Sequence, residues 1–274
     1  MAVASLGLFV QAAYAQVCME WKEAAHIGEL QVQLPEASGI AASRRFAGRL
    51  YHTNDSGDSG RFYTTDIDGK NTRAVSIGRF RPTDTEALSL GPCGAERSCL
   101  FVGDIGDNER KRESIEILVI DEIENFPQSV TPRQRLKLRY PDRPHDAESM
   151  AVHPNGTIFI LTKEQPARLF RADSRTAEQT LTPVMTLDVG SPPTDMAISD
   201  DGIRLLVLTY LDAVEFGIDF ERFGAARYKQ KIPIRFLQQE ESVTYLPGSQ
   251  SFVYTTERFV LPAAWIMRVD CREN

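Results

Sequence analysis

The sequence is poor in metal-binding soft ligands: four cysteines and four histidines in 274 residues, with no Cys-x-x-Cys pair. That scarcity argues against a zinc site, whose usual ligand spacings need both residue types in close groups. No G-x-S-x-G, P-loop or H-E-x-x-H segment occurs, so nucleophile-elbow, phosphate-cradle and zincin chemistry have no local motif to rest on. Basic residues do not dominate either: 31 Lys and Arg stand against 38 Asp and Glu, a formal charge of −7. Nucleic-acid binders show a basic patch, so this balance argues against such a partner. No apolar run approaches the roughly 18 residues that a membrane-spanning helix needs.

What is present reads as a globular protein, 42% hydrophobic and a quarter charged. The N-terminal "MAVASLGLFVQAAYAQVC" has an apolar stretch, Val3–Val10, followed by a small-x-small "AYA" before Gln16, although no Lys or Arg precedes it. This reads as a signal peptide over 1–15, with 16–274 as one exported domain, secreted or periplasmic. Four cysteines allow three disulfide pairings. Cys93 and Cys99 flank the short loop "CGAERSC" and suit a local staple. Cys18 and Cys271 lie near opposite ends of the chain, and a bridge between them would close the whole molecule.

A repeat runs through the chain. "SGIAAS" from Ser38, "EALSL" from Glu86, "ESMAV" from Glu148, "TDMAIS" from Thr194 and "ESVTY" from Glu241 start at intervals of 48, 62, 46 and 47 residues. That is the period of a β-propeller blade. Each unit continues with further short runs rich in Val, Ile, Tyr, Phe and Thr, separated by Gly, Pro and Asp turns, as antiparallel strands require. The last unit holds only three strands. The segment "ELQVQLP", Glu29–Pro35, alternates apolar and polar residues and is assigned as its fourth. The expectation is an all-β, five-bladed propeller closed by an N-terminal strand. A six-bladed version needs a blade hidden in the 62-residue unit, where the excess is mostly the Pro-containing loop "ENFPQSVTP".

The first strand of a blade lines the central channel, and alternation along it puts residues i and i+2 on one face. The aligned position holds Ser38, Glu86, Glu148, Thr194 and Glu241, with Asp84 and Asp146 two residues before their glutamates. Crowded carboxylates repel and resist ionising unless neutralised. A hard cation with oxygen ligands is the remedy, and Ca²⁺ suits so many protein oxygens better than Mg²⁺. The ends of second strands and the loops after them add a polar mouth: Asn54, Asp55, Asp58, Asn108, Tyr210 and Glu257. Asp104 and Asp107 are candidate bases there, with Lys163 and Arg110 placed to steady negative charge. His52, His145 and His153 read as structural or exposed.

The motifs "NDSGD" (54–58), "DTEALS" (84–89), "VGDIGDN" (102–108), "RYPDRPHDAES" (139–149), "LTK" (161–163), "LTYLDA" (208–213) and "ESVTY" (241–245) resemble a family of exported bacterial β-propeller proteins without an established activity. The resemblance covers most of 16–274 and implies the fold rather than the chemistry. Separately, the order Ser, Glu, Glu, Thr, Glu is similar to the central Ca²⁺ ring of the calcium-activated nucleotidases, also five-bladed, in which the fourth ligand is Ser. The other nucleotidase signatures are not matched. The leading expectation is a binding or structural module with Ca²⁺ in its channel and a small-molecule or protein ligand at its mouth. The alternative is a Ca²⁺-dependent hydrolase of phosphorylated, nucleotidase- or phosphatase-like, or glycosidic substrates.

Overall fold

The computed structural model describes residues 17–55, 57–223, 226–258 and 261–272. The signal-peptide assignment at 1–15 lies outside them. Every regular element among the described residues is a strand, and none is a helix long and apolar enough to cross a membrane.

In chain order, β1 is Ala25–Glu29. The first blade follows as β2 (Ala37–Ala42), β3 (Arg49–Asn54), β4 (Arg61–Asp66) and β5 (Arg73–Ile77). The second has β6 (Thr85–Pro92), β7 (Ser98–Asp104) and β8 (Ile115–Asp121), then the short β9 (Ser129–Val130), then β10 (Gln134–Arg139). The third has β11 (Ala147–Val152), β12 (Thr157–Thr162), β13 (Ala167–Asp173), the short β14 (Glu178–Thr180) and β15 (Thr182–Leu187). The fourth comprises β16 (Pro193–Ile198), β17 (Arg204–Thr209), β18 (Ala213–Gly217) and β19 (Tyr228–Ile232). The fifth comprises β20 (Glu240–Tyr245), β21 (Ser251–Thr256) and β22 (Trp265–Asp270). Five sheets result, each antiparallel through its blade strands, and the six-bladed alternative is set aside. The long second unit spends its excess on β9, which crosses to pair in parallel with β5 of the first blade. Likewise β14 crosses from the third unit to β10 of the second. Both cover outer edges that would otherwise present unpaired backbone groups.

Burial follows position in the blade. Inner strands β2, β11, β16 and β20 are buried at every residue, because neighbouring blades cover both faces. Outer strands such as β5 and β10 alternate between exposed and buried positions, the mark of one solvated face. The inner strands contact one another in the cycle β2, β6, β11, β16, β20 and back to β2, enclosing the axis.

The ring closes as expected in kind and differently in register. β1 pairs antiparallel with β22 as the fourth strand of the last blade. It is Ala25–Glu29 and not Glu29–Pro35. Two anchors place it. Cys18 is disulfide-bonded to Cys271, and Trp21 bridges Cys271 and packs edge-on against Phe252. Gly28 then meets the backbone of Asp68 so closely that a Cβ there would collide with it. The alternation in "ELQVQLP" has another cause. Leu30 and Leu34 are buried in the cluster between the last and first blades, while the backbone makes a turn from Gln31 to Leu34. The second disulfide, Cys93–Cys99, staples the turn between β6 and β7.

Candidate functional site

All five inner strands carry a β-bulge at the same place. Register against the second strand skips between Ala37 and Gly39, Thr85 and Ala87, Ala147 and Ser149, Pro193 and Asp195, and Glu240 and Ser242. The residues without a cross-strand partner are Ser38, Glu86, Glu148, Thr194 and Glu241, the five aligned by the repeat. A bulge leaves one residue out of the ladder and re-aims its side chain. All five residues are at most 5% exposed. Two residues further along, Ile40, Leu88, Met196 and Val243 line a small cavity that Arg44, Ser89 and Thr244 also border.

Contacts link the ring. Ser38 Oγ donates to Glu86 Oε2 at 2.6 Å, and Lys163 Nζ donates to Glu148 Oε1 at 2.8 Å. Gln239 Nε2 donates to Glu241 Oε1 at 3.3 Å and to Glu257 Oε2 at 3.2 Å. Thr194 Oγ1 is buried with no hydrogen-bond partner. Asp55, Asp84 and Glu86 each offer a carboxylate oxygen within 4.8 Å of the others'. Gly106 makes room for this cluster, since a Cβ there would strike the Asp84 carboxylate and lie 2.8 Å from Glu86 Cγ.

Electrostatics records the crowding. Burial, then the charges of Glu148 and Asp55, hold the Glu86 carboxyl well above its ordinary range. Burial pushes Glu148 up to about 7 against the pull of Lys163. Burial, then Glu257 and Glu148, push Glu241 up to about 9. Asp84 rises by burial and by the charge of Asp55. Burial works against the Lys163 ammonium, but Glu148 outweighs it and keeps that pKa above the ordinary lysine value. Ring carboxylates, a hydroxyl and an orphaned threonine oxygen, poor in counter-charge, are the ligand types that could hold a hard cation.

The mouth residues divide. Asp55 belongs with the ring, because its charge raises Asp84, Glu86, Glu148, Glu241 and Glu257 alike. Asn108 donates to Asp84 Oδ2 at 3.4 Å, Glu257 joins Glu241 through Gln239, and Tyr210 lies under Lys163 with its ring centroid 5.6 Å from Nζ. Asn54 and Asp58 are held together at the rim, Asn54 Nδ2 donating at 3.2 Å and Tyr63 OH at 2.7 Å to Asp58 Oδ2.

Asp104 and Asp107 are occupied in shaping the loop that carries Gly106. Asp104 pairs with Arg112 at 2.8 Å and accepts from the Thr83 and Asp84 amides. Asp107 accepts from the Lys111 and Arg112 amides. Asp146 does not join the cluster as Asp84 does; its carboxylate caps the Asp107 amide at 3.0 Å. Lys163 pairs with Glu148. Sequence reasoning missed Arg112 and Gln239, whose partners lie 8 and 2 or 18 residues away on folded loops. It also missed Arg204, fully buried 3.5 Å from Glu215, which accepts from Tyr228 and Tyr245. His145 is buried between Asp142 and Glu164.

No family model matches the sequence, and no curated protein matches it. Solved structures match by shape. A protein of a nidogen/laminin complex superposes at TM-score 0.52 with 14% identity, over 83% of this chain and 74% of that one. A gluconolactonase of Xanthomonas campestris superposes at TM-score 0.50 with 12% identity, over 85% and 72%. A provisionally assigned oxidoreductase (glucose dehydrogenase) of Thermus thermophilus superposes at 0.51 with 12% identity, over 91% and 100%. This chain shares their propeller fold. At such identity the likeness reaches no further than the fold.

Proposed function

We propose that this protein is an exported β-propeller that binds Ca²⁺ in its central ring and a ligand at the polar mouth above it. Ser38, Glu86, Glu148, Thr194 and Glu241 would hold the ion, with Asp55 and Asp84 beside them. The observation that carries the reading is the fivefold bulge, which turns one oxygen-bearing side chain per blade out of its ladder at a single level. Thr194 Oγ1, buried and without a partner, and Gly106, without which the Asp84 carboxylate would have no room, support it independently. The ion would neutralise carboxylates that otherwise resist ionising, and so tie the five blades together. The two disulfides accord with an oxidising compartment, either periplasm or medium. The test is a melting curve of chelated protein with and without Ca²⁺. At one hundred times Kd the gain is about 2.7 kcal/mol.

A Ca²⁺-dependent hydrolase of phosphorylated or glycosidic substrates is the second reading. It is favoured by the placement of a cation, Lys163, and a carboxylate cluster at one mouth. With Asp104 and Asp107 engaged in loop structure, it needs one of them released to serve as base. Turnover of a phosphate-ester or glycoside panel that depends on Ca²⁺ and disappears in Glu148→Gln would move the assignment to this reading.

A further inference from the structure

Beside the ring, outward from Lys163, lies an open cavity of about 530 Å³. Arg110, Arg143, Lys163 and Arg168 line it, with Glu164 and Thr186 between them. Three of these cations are paired, Arg143 with Glu164, Arg168 with Asp142 and Lys163 with Glu148, while Arg110 has no carboxylate partner among the described ion pairs. Two of the arginines are held by carboxylates. Arg143 donates to Glu164 Oε1 at 2.6 Å, and Arg168 to Asp142 Oδ2 at 2.7 Å. Buried His145 braces both acids, its ring nitrogens each 3.0 Å from one of them. Planar guanidinium forks fixed this way are suited to oxoanions. Arg110, together with Lys163 once Glu148 releases it, supplies two uncompensated positive charges, which match a phosphoryl dianion better than a singly charged carboxylate.

Lys163 belongs to both places. It lines this cavity, and its Nζ donates to Glu148 at 2.8 Å. We propose that the cavity is a phosphoryl-anion subsite coupled to the ring through Lys163, which serves Glu148 when no cation is bound and turns to the anion when one is. A cation at the ring takes over the Glu148 carboxylate and frees the ammonium. An anion in the cavity draws the ammonium away and frees the carboxylate. Linkage then requires each ligand to strengthen the other by the same factor. The cavity stands on its own geometry; the coupling rests on the ring cation proposed above.

The experiment is calorimetric titration with methylphosphonate, which cannot be hydrolysed, at an alkaline pH where it is a dianion, on chelated protein and on protein saturated with Ca²⁺, at matched ionic strength. The expected result is binding in both, tightened several-fold by Ca²⁺. Lys163→Met should bring that factor to one while Ca²⁺ binding persists. Arg110→Gln, in an exposed position, should weaken methylphosphonate several-fold and leave the Ca²⁺ affinity unchanged, and it guards against a Lys163 variant that fails to fold. Ca²⁺ heat without methylphosphonate binding would overturn the subsite and leave the ring reading standing. Methylphosphonate binding that is indifferent to bound Ca²⁺ would overturn the coupling. Absence of Ca²⁺ heat would remove the ring reading and the coupling with it.

Discussion

Lys163 Nζ lies 2.8 Å from Glu148 Oε1, so an ammonium from the second strand end of one blade neutralises the ring residue of the same blade. No other ring glutamate has a lysine or arginine partner among the described ion pairs. Glu86 is met by the Ser38 hydroxyl and Glu241 by the Gln239 amide, both neutral donors. This asymmetry makes the ring short of positive charge and gives several measurable consequences.

The first is a dependence of stability on pH. Glu148 is raised to about 7 and Glu241 to about 9, above the ordinary value near 4.5. The folded state therefore holds protons that the unfolded chain has released, and stability falls as pH rises across that window. Chelated protein should melt at progressively lower temperature between about pH 5 and 9. Saturating Ca²⁺ should flatten the decline, because the bound ion favours the ionised carboxylates. A chelated melting temperature that rises over this range would contradict the crowding.

Glu241→Gln should have opposite effects in the two states. At pH 8 folding must protonate Glu241, a cost the neutral Gln does not carry, so chelated protein should gain about 1 kcal/mol, or roughly 2–4 °C for a domain of this size. The substitution also removes a ring ligand, so Ca²⁺ affinity should fall at least about tenfold, or roughly 1.4 kcal/mol. Scanning calorimetry on both forms reads both signs. Loss of stability in both states would mark Glu241 as a packing residue.

Gly106→Ala places a methyl group against Asp84 and Glu86. Overpacking of this kind costs about 1–3 kcal/mol. The loop fixed by Asp104, Asp107 and Arg112 has little freedom to yield. Both the melting temperature and Ca²⁺ affinity should fall, whereas an alanine at exposed Gly94, whose Cβ would meet nothing within 4 Å, should leave Ca²⁺ affinity alone.

Removing both Cys18 and Cys271 opens a covalent loop spanning 253 residues of separation. Loop-closure entropy puts the stabilisation on the order of 5 kcal/mol. Amide exchange should accelerate first in β1 and β22, whose pairing is what the bridge secures. Uniform acceleration around the ring would show that closure depends on the bulk of the molecule and not on this seam.

The blades were legible because a propeller repeats one pattern. Polar residues recur at the head of each inner strand, and Ser38, Glu86, Glu148, Thr194 and Glu241 could be aligned without knowing any contact. The cysteine pairings were legible because a closed ring brings its ends together. The closing strand was misplaced because alternation has more than one cause: Leu30 and Leu34 alternate to plug a seam, while β1 pairs through backbone groups that leave little pattern in "AHIGE". The bulges left no trace in the sequence, since each depends on register against a second strand. The Lys163–Glu148 and Asp104–Arg112 pairs were hidden for a related reason. Which carboxylate a cation meets is decided by loop paths, and each of these cations had several acids within reach along the chain.

The central claim is that five bulged residues make one cation site. Calorimetric titration of chelated protein with Ca²⁺ at pH 8 addresses it directly. The account predicts a single saturable heat with one ion per chain, accompanied by proton release and a higher melting temperature. No heat and no change in melting temperature would contradict it.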